Sequence, residues 1–165
     1  MRVNAIALAN YFIYLANKSN QELRQLGLMK RVYITHGFCL AILDRPALDY
    51  RFDEVEAWKN GPVIPSVYHS FKHNMNNPIK EKAIVILCDH PDRFDYETPE
   101  LKDSDIKKIA DMVWNRYYTF SDSQMIELTH KRGTPWELCY EEGKNCEIPD
   151  FYTKAYYSKM LVPNE

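Results

Sequence analysis

Two histidines at helical spacing are the first residues in this chain that could do chemistry. His69 and His73 stand four positions apart, so on a helix they would share a face. The HExxH motif of metalloproteases has the same spacing between its two zinc ligands, and a Glu after the first His acts as general base. Ser70 occupies the position of that Glu. We therefore expect a solvated helix face here and no metal site.

The other candidate reactive groups are isolated in the sequence. His36 lies beside the apolar face of a predicted helix, where one hydrogen bond would satisfy it. His130 falls at a predicted helix end, where it can meet the last carbonyl groups. Cys39 and Cys139 would need a distant histidine to activate them. There is no GxSxG, P-loop, GxGxxG or SxxK motif and no marked pair of carboxylates. The sequence therefore predicts no catalytic residue and no cofactor.

The cysteines and the absence of sorting signals favour a reducing compartment. The four cysteines form no CxxC pair and have no histidine at zinc-finger spacing. Residues 1–16 read as an amphipathic helix without a cleavage-site pattern, and no apolar run is expected to approach the roughly 20 residues that cross a bilayer. We expect a cytoplasmic protein, with no membrane partner, whose cysteines pack as small apolar side chains.

The net charge bears on one class of function. With 21 basic and 23 acidic residues the formal net charge is -2, which gives no case for a nucleic-acid-binding domain of the usual basic kind. Residues 89–105 hold seven acids beside Arg93 and Lys102. This segment is either solvated surface or an acidic loop that attracts a basic partner. The 12 tyrosines suit a protein with a binding surface.

The periodicity of apolar residues predicts a mostly helical chain that positions these groups. Helices are expected at residues 1–16, 21–43, 65–73, 103–118, 122–130 and 134–140, and from Pro149 onward. Residues 47–58 are ambiguous, and residues 89–102 read as a loop. Gly37, inside the second helix, indicates a close approach by a neighbouring helix.

One segment reads convincingly as a strand. Ala83–Cys88 is short, continuous and β-branched, which predicts burial on both faces. Its backbone needs a partner strand, for which Arg51–Val55 and Ile79 are the candidates. The expected fold class is α+β: a mostly helical single domain, residues 1–165, with a small β-sheet.

The most specific local pattern is a turn between Glu56 and Val63. Gly61 can adopt backbone angles closed to other residues, Pro62 fixes φ, and Pro65 can begin a helix without losing a hydrogen bond. Trp58 stands just before the turn, where its ring can cover whatever the turn folds over. Like the other two tryptophans, it is most simply a core anchor, and a hot spot of an interface is the alternative.

Four blocks that occur in one order along the chain carry a family resemblance. They are Asn10-Tyr11-Phe12-Ile13; Leu28-Met29-Lys30-Arg31-Val32-Tyr33 with His36-Gly37; Glu56-Ala57-Trp58 with Gly61-Pro62-Val63 and Tyr68; and Leu128-Thr129-His130 with Pro135-Trp136. Together they resemble the Panacea antitoxin domain family, which includes SocA-like and phage-associated GepA-like proteins. Arg31 departs from the Leu that is usual in the second block.

The resemblance implies an antitoxin of a two-component toxin–antitoxin system, often linked to a phage or prophage. Such a domain neutralises its cognate toxin by direct binding and has no known catalytic centre. Some relatives carry an added DNA-binding region, for which this chain has no spare residues, so we expect no nucleic-acid partner for the domain itself. Tyr33, His130 and Trp136 are expected to be structural members of the family motifs.

We assign the partner-binding surface to the Gly-Pro-Val turn and the helix after it. Its residues are Trp58, Lys59, Asn60, Gly61, Pro62, Val63 and Tyr68. The alternative is that the turn only holds the fold together. A family that faces varied toxins would keep its shared motif for structure and vary its outer surface, which favours that alternative.

Two other functions stay open. An adaptor that delivers its partner to a protease, or works with a chaperone, predicts loss of the partner in place of a stable complex. An unrecognised hydrolase or metalloenzyme predicts stoichiometric zinc that depends on His69 or His73.

Overall fold

The computed structural model describes residues 5–161, apart from the side chain of Asp89. In chain order its elements are α1 (Ala5–Lys18), α2 (Gln25–Leu43), β1 (Glu56–Trp58), β2 (Gly61–Val63), α3 (Pro65–Phe71), β3 (Val85–His90), β4 (Arg93–Glu97), α4 (Ser104–Tyr117), α5 (Asp122–His130), α6 (Pro135–Cys139), β5 (Cys146–Glu147) and α7 (Asp150–Met160). A short 3-10 helix, Lys72–Asn74, follows α3. The predicted fold class, a mostly helical α+β domain, is confirmed.

The helix α2 forms the centre of the molecule, and α1, α3, α4, α5 and α7 pack around it. By length and composition α2 could cross a membrane, contrary to the sequence-based expectation that no such segment exists. However, 78% of its apolar stretch is buried inside the protein, which is the environment of a core helix. The helix begins at Gln25, four residues later than predicted, and just before it the carbonyl of Leu23 accepts a hydrogen bond from the amide of Ile79.

The predicted close approach at Gly37 is confirmed. A methyl group added at this position would overlap the ring of Tyr157 on α7. The missing side chain therefore lets α7 lie against α2, where the Tyr157 ring also makes edge contacts with Tyr33 and Phe38. The helix tolerates the weak helix propensity of glycine here because of the packing it allows.

A strand exists where Ala83–Cys88 was predicted, as β3, but its bounds, its partner and its burial differ from the prediction. It begins at Val85 and pairs with β4, inside the segment predicted to be a loop, so both proposed partners, Arg51–Val55 and Ile79, are wrong. Burial on both faces is also wrong, because residues 83–88 alternate between half-buried and exposed. Val55 and Ile79 use their backbone groups elsewhere, in bonds to Ile148 and Leu23.

The second sheet resolves the ambiguous segment before the turn. Glu56–Trp58 forms β1, which pairs with β2 on one edge and with β5 on the other, both antiparallel. Trp58 stands opposite Gly61, so β1 and β2 make a hairpin whose loop is only Lys59 and Asn60. This small sheet places the most specific sequence block next to α2 and α5.

Candidate functional site at the Glu56–Val63 hairpin

The backbone of Gly61 sets the shape of the hairpin. Its φ of +104° is a backbone angle that residues with a side chain rarely adopt. A Cβ at this position would lie 3.0 Å from the Nζ of Lys30 and 3.4 Å from the Cβ of His130. All three residues of β2, including Pro62 and Val63, are buried. Gly61 therefore lets the Gly-Pro-Val strand lie directly on α2 and α5.

Lys30 of α2 supports this strand from inside the protein. Its side chain is fully buried, and its Nζ donates a hydrogen bond to the carbonyl oxygen of Pro62 at 2.7 Å. Among residues 5–161 no carboxylate pairs with it, and desolvation lowers its pKa to about 7. The second and third sequence blocks thus meet through one buried amine.

Trp136 and His130 support the other strand. The Nε1–H of Trp136 donates to the carbonyl oxygen of Trp58 at 2.6 Å, and the indole stacks on Tyr140 with ring centroids 4.6 Å apart. The His130 ring makes an edge contact with Trp136 at 5.0 Å. Its Nδ1 lies 2.8 Å from the carbonyl oxygen of Ile126, a bond of the kind its place at the end of α5 indicates. The fourth block therefore fixes the third.

The outer edge of the hairpin is the part that a partner can reach. Lys59 and Asn60 are exposed, whereas Trp58 and Tyr68 are half-buried and make an edge-to-face contact with ring centroids 5.0 Å apart. The Trp58 Nε1–H donates to the Glu56 carboxylate at 2.6 Å, which fixes the indole. Of the residues assigned to the partner surface, Trp58, Lys59, Asn60 and Tyr68 reach solvent, whereas Gly61, Pro62 and Val63 lie beneath them.

Tyr33, the third predicted structural residue, is buried away from this hairpin. Its hydroxyl lies 3.5 Å from the Oγ1 of Thr153, and its ring meets the edge of Tyr157. Burial is the main cause that raises the pKa of its phenol well above the ordinary value. The second block therefore makes two separate contacts: Lys30 bonds to the hairpin, and Tyr33 packs against α7.

The two histidines at helical spacing do not lie on one continuous helix. Helix α3 ends at Phe71, so His69 is helical and His73 belongs to the 3-10 helix after it, and both are exposed. Within the described part of the chain, no group of three or more His, Cys, Asp or Glu residues is placed to hold a metal ion.

Of the remaining candidates for chemistry, His36 and Cys39 are buried and Cys139 is half-buried. His36 is buried; its Nδ1 lies 3.4 Å from the amide nitrogen of Ala47, and its Nε2 lies 3.1 Å from the carboxylate of Asp150. One hydrogen bond was predicted for this ring, and the structure gives both of its nitrogens a partner. Burial raises the pKa of the Cys39 thiol to about 12 and also raises that of Cys139, so neither is a thiolate at neutral pH.

Two supporting residues were not recognised for their role from the sequence. Lys30 and Asn10 belong to the motif blocks, but only the structure shows that both are buried and bonded to backbone groups distant in sequence. A polar residue within an apolar helical stretch was the available sign. It does not reveal which backbone group the residue meets.

The elements and the site describe a mostly helical α+β domain built around α2, with the Gly-Pro-Val strand of a Trp-x-x-Gly-Pro-Val hairpin buried against it. The family model described as "Antitoxin SocA-like, Panacea domain" matches residues 28–137, which include the second, third and fourth blocks. The curated relative Antitoxin SocA of Caulobacter vibrioides (strain NA1000 / CB15N) is 31% identical over 144 residues, covering 82% of this chain and 70% of the relative. No solved structure matches. The chain belongs to the SocA-like Panacea domain family of antitoxins.

Proposed function

We propose that this protein is a cytoplasmic antitoxin that neutralises a cognate toxin by direct protein–protein binding and catalyses no reaction. The toxin–antitoxin system would be of the kind linked to phages or prophages. Membership of the SocA-like family supports the antitoxin role. The observation that supports direct binding is the structural role of the shared motif residues. Lys30 of α2 and Trp136 of α6 donate to backbone carbonyl groups of the two hairpin strands, and Gly61 leaves the room that Lys30 needs. They support a surface rather than line a cleft.

Within this proposal the outer edge of the hairpin contacts the toxin. Trp58, Lys59, Asn60 and Tyr68 form that edge, and the buried strand Gly61–Val63 holds it in place. Tryptophan and tyrosine are enriched among residues that dominate binding energy, because they bury a large area with little loss of rotamer freedom. A stable complex needs roughly 800 Å² on each partner, so neighbouring surface must contribute as well.

Co-expression with the product of the adjacent reading frame tests the proposal. The neighbour alone should arrest growth, and this chain should restore growth and co-purify with the neighbour. The half-life of the neighbour, measured after synthesis is stopped, separates two modes of neutralisation. Direct sequestration leaves its half-life unchanged or longer. A shorter half-life without a stable complex would favour delivery to a protease and contradict sequestration.

A further inference from the structure

A wide groove lies between α4, the end of α5 and the end of α7, and we call it the α4–α7 groove. Its volume is about 1320 Å³, above the roughly 300–1,000 Å³ of most small-molecule pockets. Phe38 of α2 and Tyr117 of α4 line it and are at most 6% exposed. Met112, Met160 and Leu161 also line it and are 39–44% exposed. The size and the exposed apolar side chains suit a segment of another macromolecule.

Basic side chains without an acidic partner line the same groove. Arg116 of α4, Lys131 after α5 and Lys159 of α7 are lining residues, and all three are exposed. Between positions 5 and 161 no ion pair joins any of them to a carboxylate. Lys108 also lines the groove, but its Nζ is paired with Asp105 at 3.1 Å. Three cations are therefore available to a partner.

Two hydrogen bonds hold the charged groups of α4 beside the groove. The Nε–H of Arg116 donates to the hydroxyl oxygen of Tyr117 at 3.2 Å, and its guanidinium carbon lies 5.7 Å from the centre of that ring. Asp111 is the one acid among the lining residues that the structure describes, and it accepts from the Tyr11 hydroxyl of α1 at 2.8 Å. The groove thus keeps an excess of positive charge.

The combination of cations and apolar side chains indicates an acidic protein segment as the occupant. A nucleic acid would give phosphates to the cations but would leave Met160 and Leu161 uncovered. Its bases stack on exposed rings, whereas Tyr117 is buried and Phe120 is half-buried. Two copies of the groove facing each other would bring like charges together. A segment with Asp or Glu beside apolar side chains complements both the charge and the apolar surface.

We propose that the α4–α7 groove binds the cognate toxin through a toxin segment that carries Asp or Glu next to apolar side chains. The inference rests on the proposed function and adds to it a second contact region and the chemistry of the partner. The groove shares no residue with the Trp58–Tyr68 edge. Substitutions in the two regions can therefore be tested separately.

The first test measures binding of the purified full-length protein to the purified product of the adjacent reading frame. K131E/K159E reverses two unpaired charges of the groove. K80E/K102E is the matched control, because Lys80 and Lys102 are also exposed and lie outside the groove. Each Lys-to-Glu change lowers the charge by two, so both variants move from −2 to −6. At low salt K131E/K159E should weaken binding about 100-fold or more, and K80E/K102E should stay within about threefold of the wild type.

A second variant tests the apolar part of the contact without changing the charge. M112S/M160S removes two partly exposed methionine side chains from the groove. It should weaken binding about tenfold or more, because less apolar surface becomes buried in the complex. This loss should persist at about 0.5 M salt, whereas the loss in K131E/K159E should shrink because of screening. M75S should bind like the wild type, since Met75 is 73% exposed and lies outside the groove.

Each contrary outcome identifies the statement that fails. If the neighbour binds the wild type and both groove variants equally tightly, the docking site is wrong while the proposed function stands. If the neighbour does not bind the wild type, the proposed function fails and this inference fails with it. If K80E/K102E weakens binding as much as K131E/K159E, net charge governs binding and the groove does not.

Two further measurements identify a different occupant. Self-association of the wild type is measured by sedimentation, and its binding to a random-sequence DNA duplex is measured by fluorescence anisotropy. If K131E/K159E loses self-association but binds the neighbour normally, the occupant is a second copy and the inference is overturned. Loss of DNA binding with normal binding of the neighbour would identify a nucleic acid and overturn it equally.

Discussion

The Nζ of Lys30 lies 2.7 Å from the carbonyl oxygen of Pro62, in a place from which solvent is excluded. This bond joins the centre of α2 to the Gly-Pro-Val strand across 32 positions of sequence. A lysine that is buried without a carboxylate partner is expensive in its charged form. The family motif thus contains a stability cost that depends on pH.

Stability should therefore rise with pH around and above neutrality. The pKa of Lys30 falls from its ordinary 10.5 to about 7 on folding. Between these values the unfolded chain binds more protons than the folded one, so the free energy of unfolding increases with pH. Relative to K30M, the wild type should gain about 1 kcal/mol between pH 7.5 and 8.5. Urea unfolding of both proteins at the two pH values measures the difference. Parallel pH dependence would show that Lys30 does not titrate in this range.

The substitution G61A should destabilise the protein by more than G133A does. Both glycines have positive φ, +104° and +84°, so both substitutions strain the backbone. Only at Gly61 would the new methyl group crowd the Nζ of Lys30 and the Cβ of His130, whereas nothing lies within 4 Å of a Cβ at Gly133. We expect a cost of about 1 kcal/mol for G133A and about 2–4 kcal/mol for G61A. Denaturant unfolding compares them, and equal losses would mean that the hairpin yields to the extra methyl group.

The substitution N10A should loosen the β3–β4 hairpin selectively. It deletes three hydrogen bonds that hold Ala83 and Pro99 to α1. Amide hydrogen exchange in residues 83–99 should accelerate by at least tenfold, while the amides of α2 keep their protection. Uniform acceleration through the whole chain would instead indicate that N10A lowers global stability and that the hairpin has no local opening of its own.

The helices were predictable because their signals are local. Asp103 caps α4 by accepting from two backbone amides, and Ser121 and Gln124 form a capping box at α5, as their side chains in those positions indicate. Gly37 signalled a helix contact for the same reason, since a glycine inside a helix needs a packing explanation.

The hairpin of β3 and β4 was misread because its apolar residues do not follow burial. Ile84 and Ile86 are as apolar as the half-buried Val85 and Leu87 with which they alternate, so the run looked buried on both sides. Its partner strand is rich in charge and resembled a loop. An exposed apolar strand has the composition of a core strand, and composition alone cannot separate the two.

The sequence identified the motif residues of the site but not their contacts or their exposure to solvent. The blocks located Trp58, Gly61 and Trp136, yet their contacts depend on how α2, α5 and α6 pack. Whether Gly61, Pro62 and Val63 reach solvent is decided by the tertiary fold, since Pro62 could face either way in an isolated turn. The exposed edge at Lys59 and Asn60 follows from the two-residue loop, which only strand register defines.

Direct binding is tested most plainly by titrating this purified protein into the purified product of the adjacent reading frame in a calorimeter, with no protease or nucleotide present. Sequestration predicts a saturable heat at a fixed stoichiometry and a dissociation constant in the nanomolar range. Such a constant corresponds to a binding free energy of about −12 kcal/mol. A neighbour that gives no heat and elutes apart from this protein in gel filtration would contradict neutralisation by direct binding.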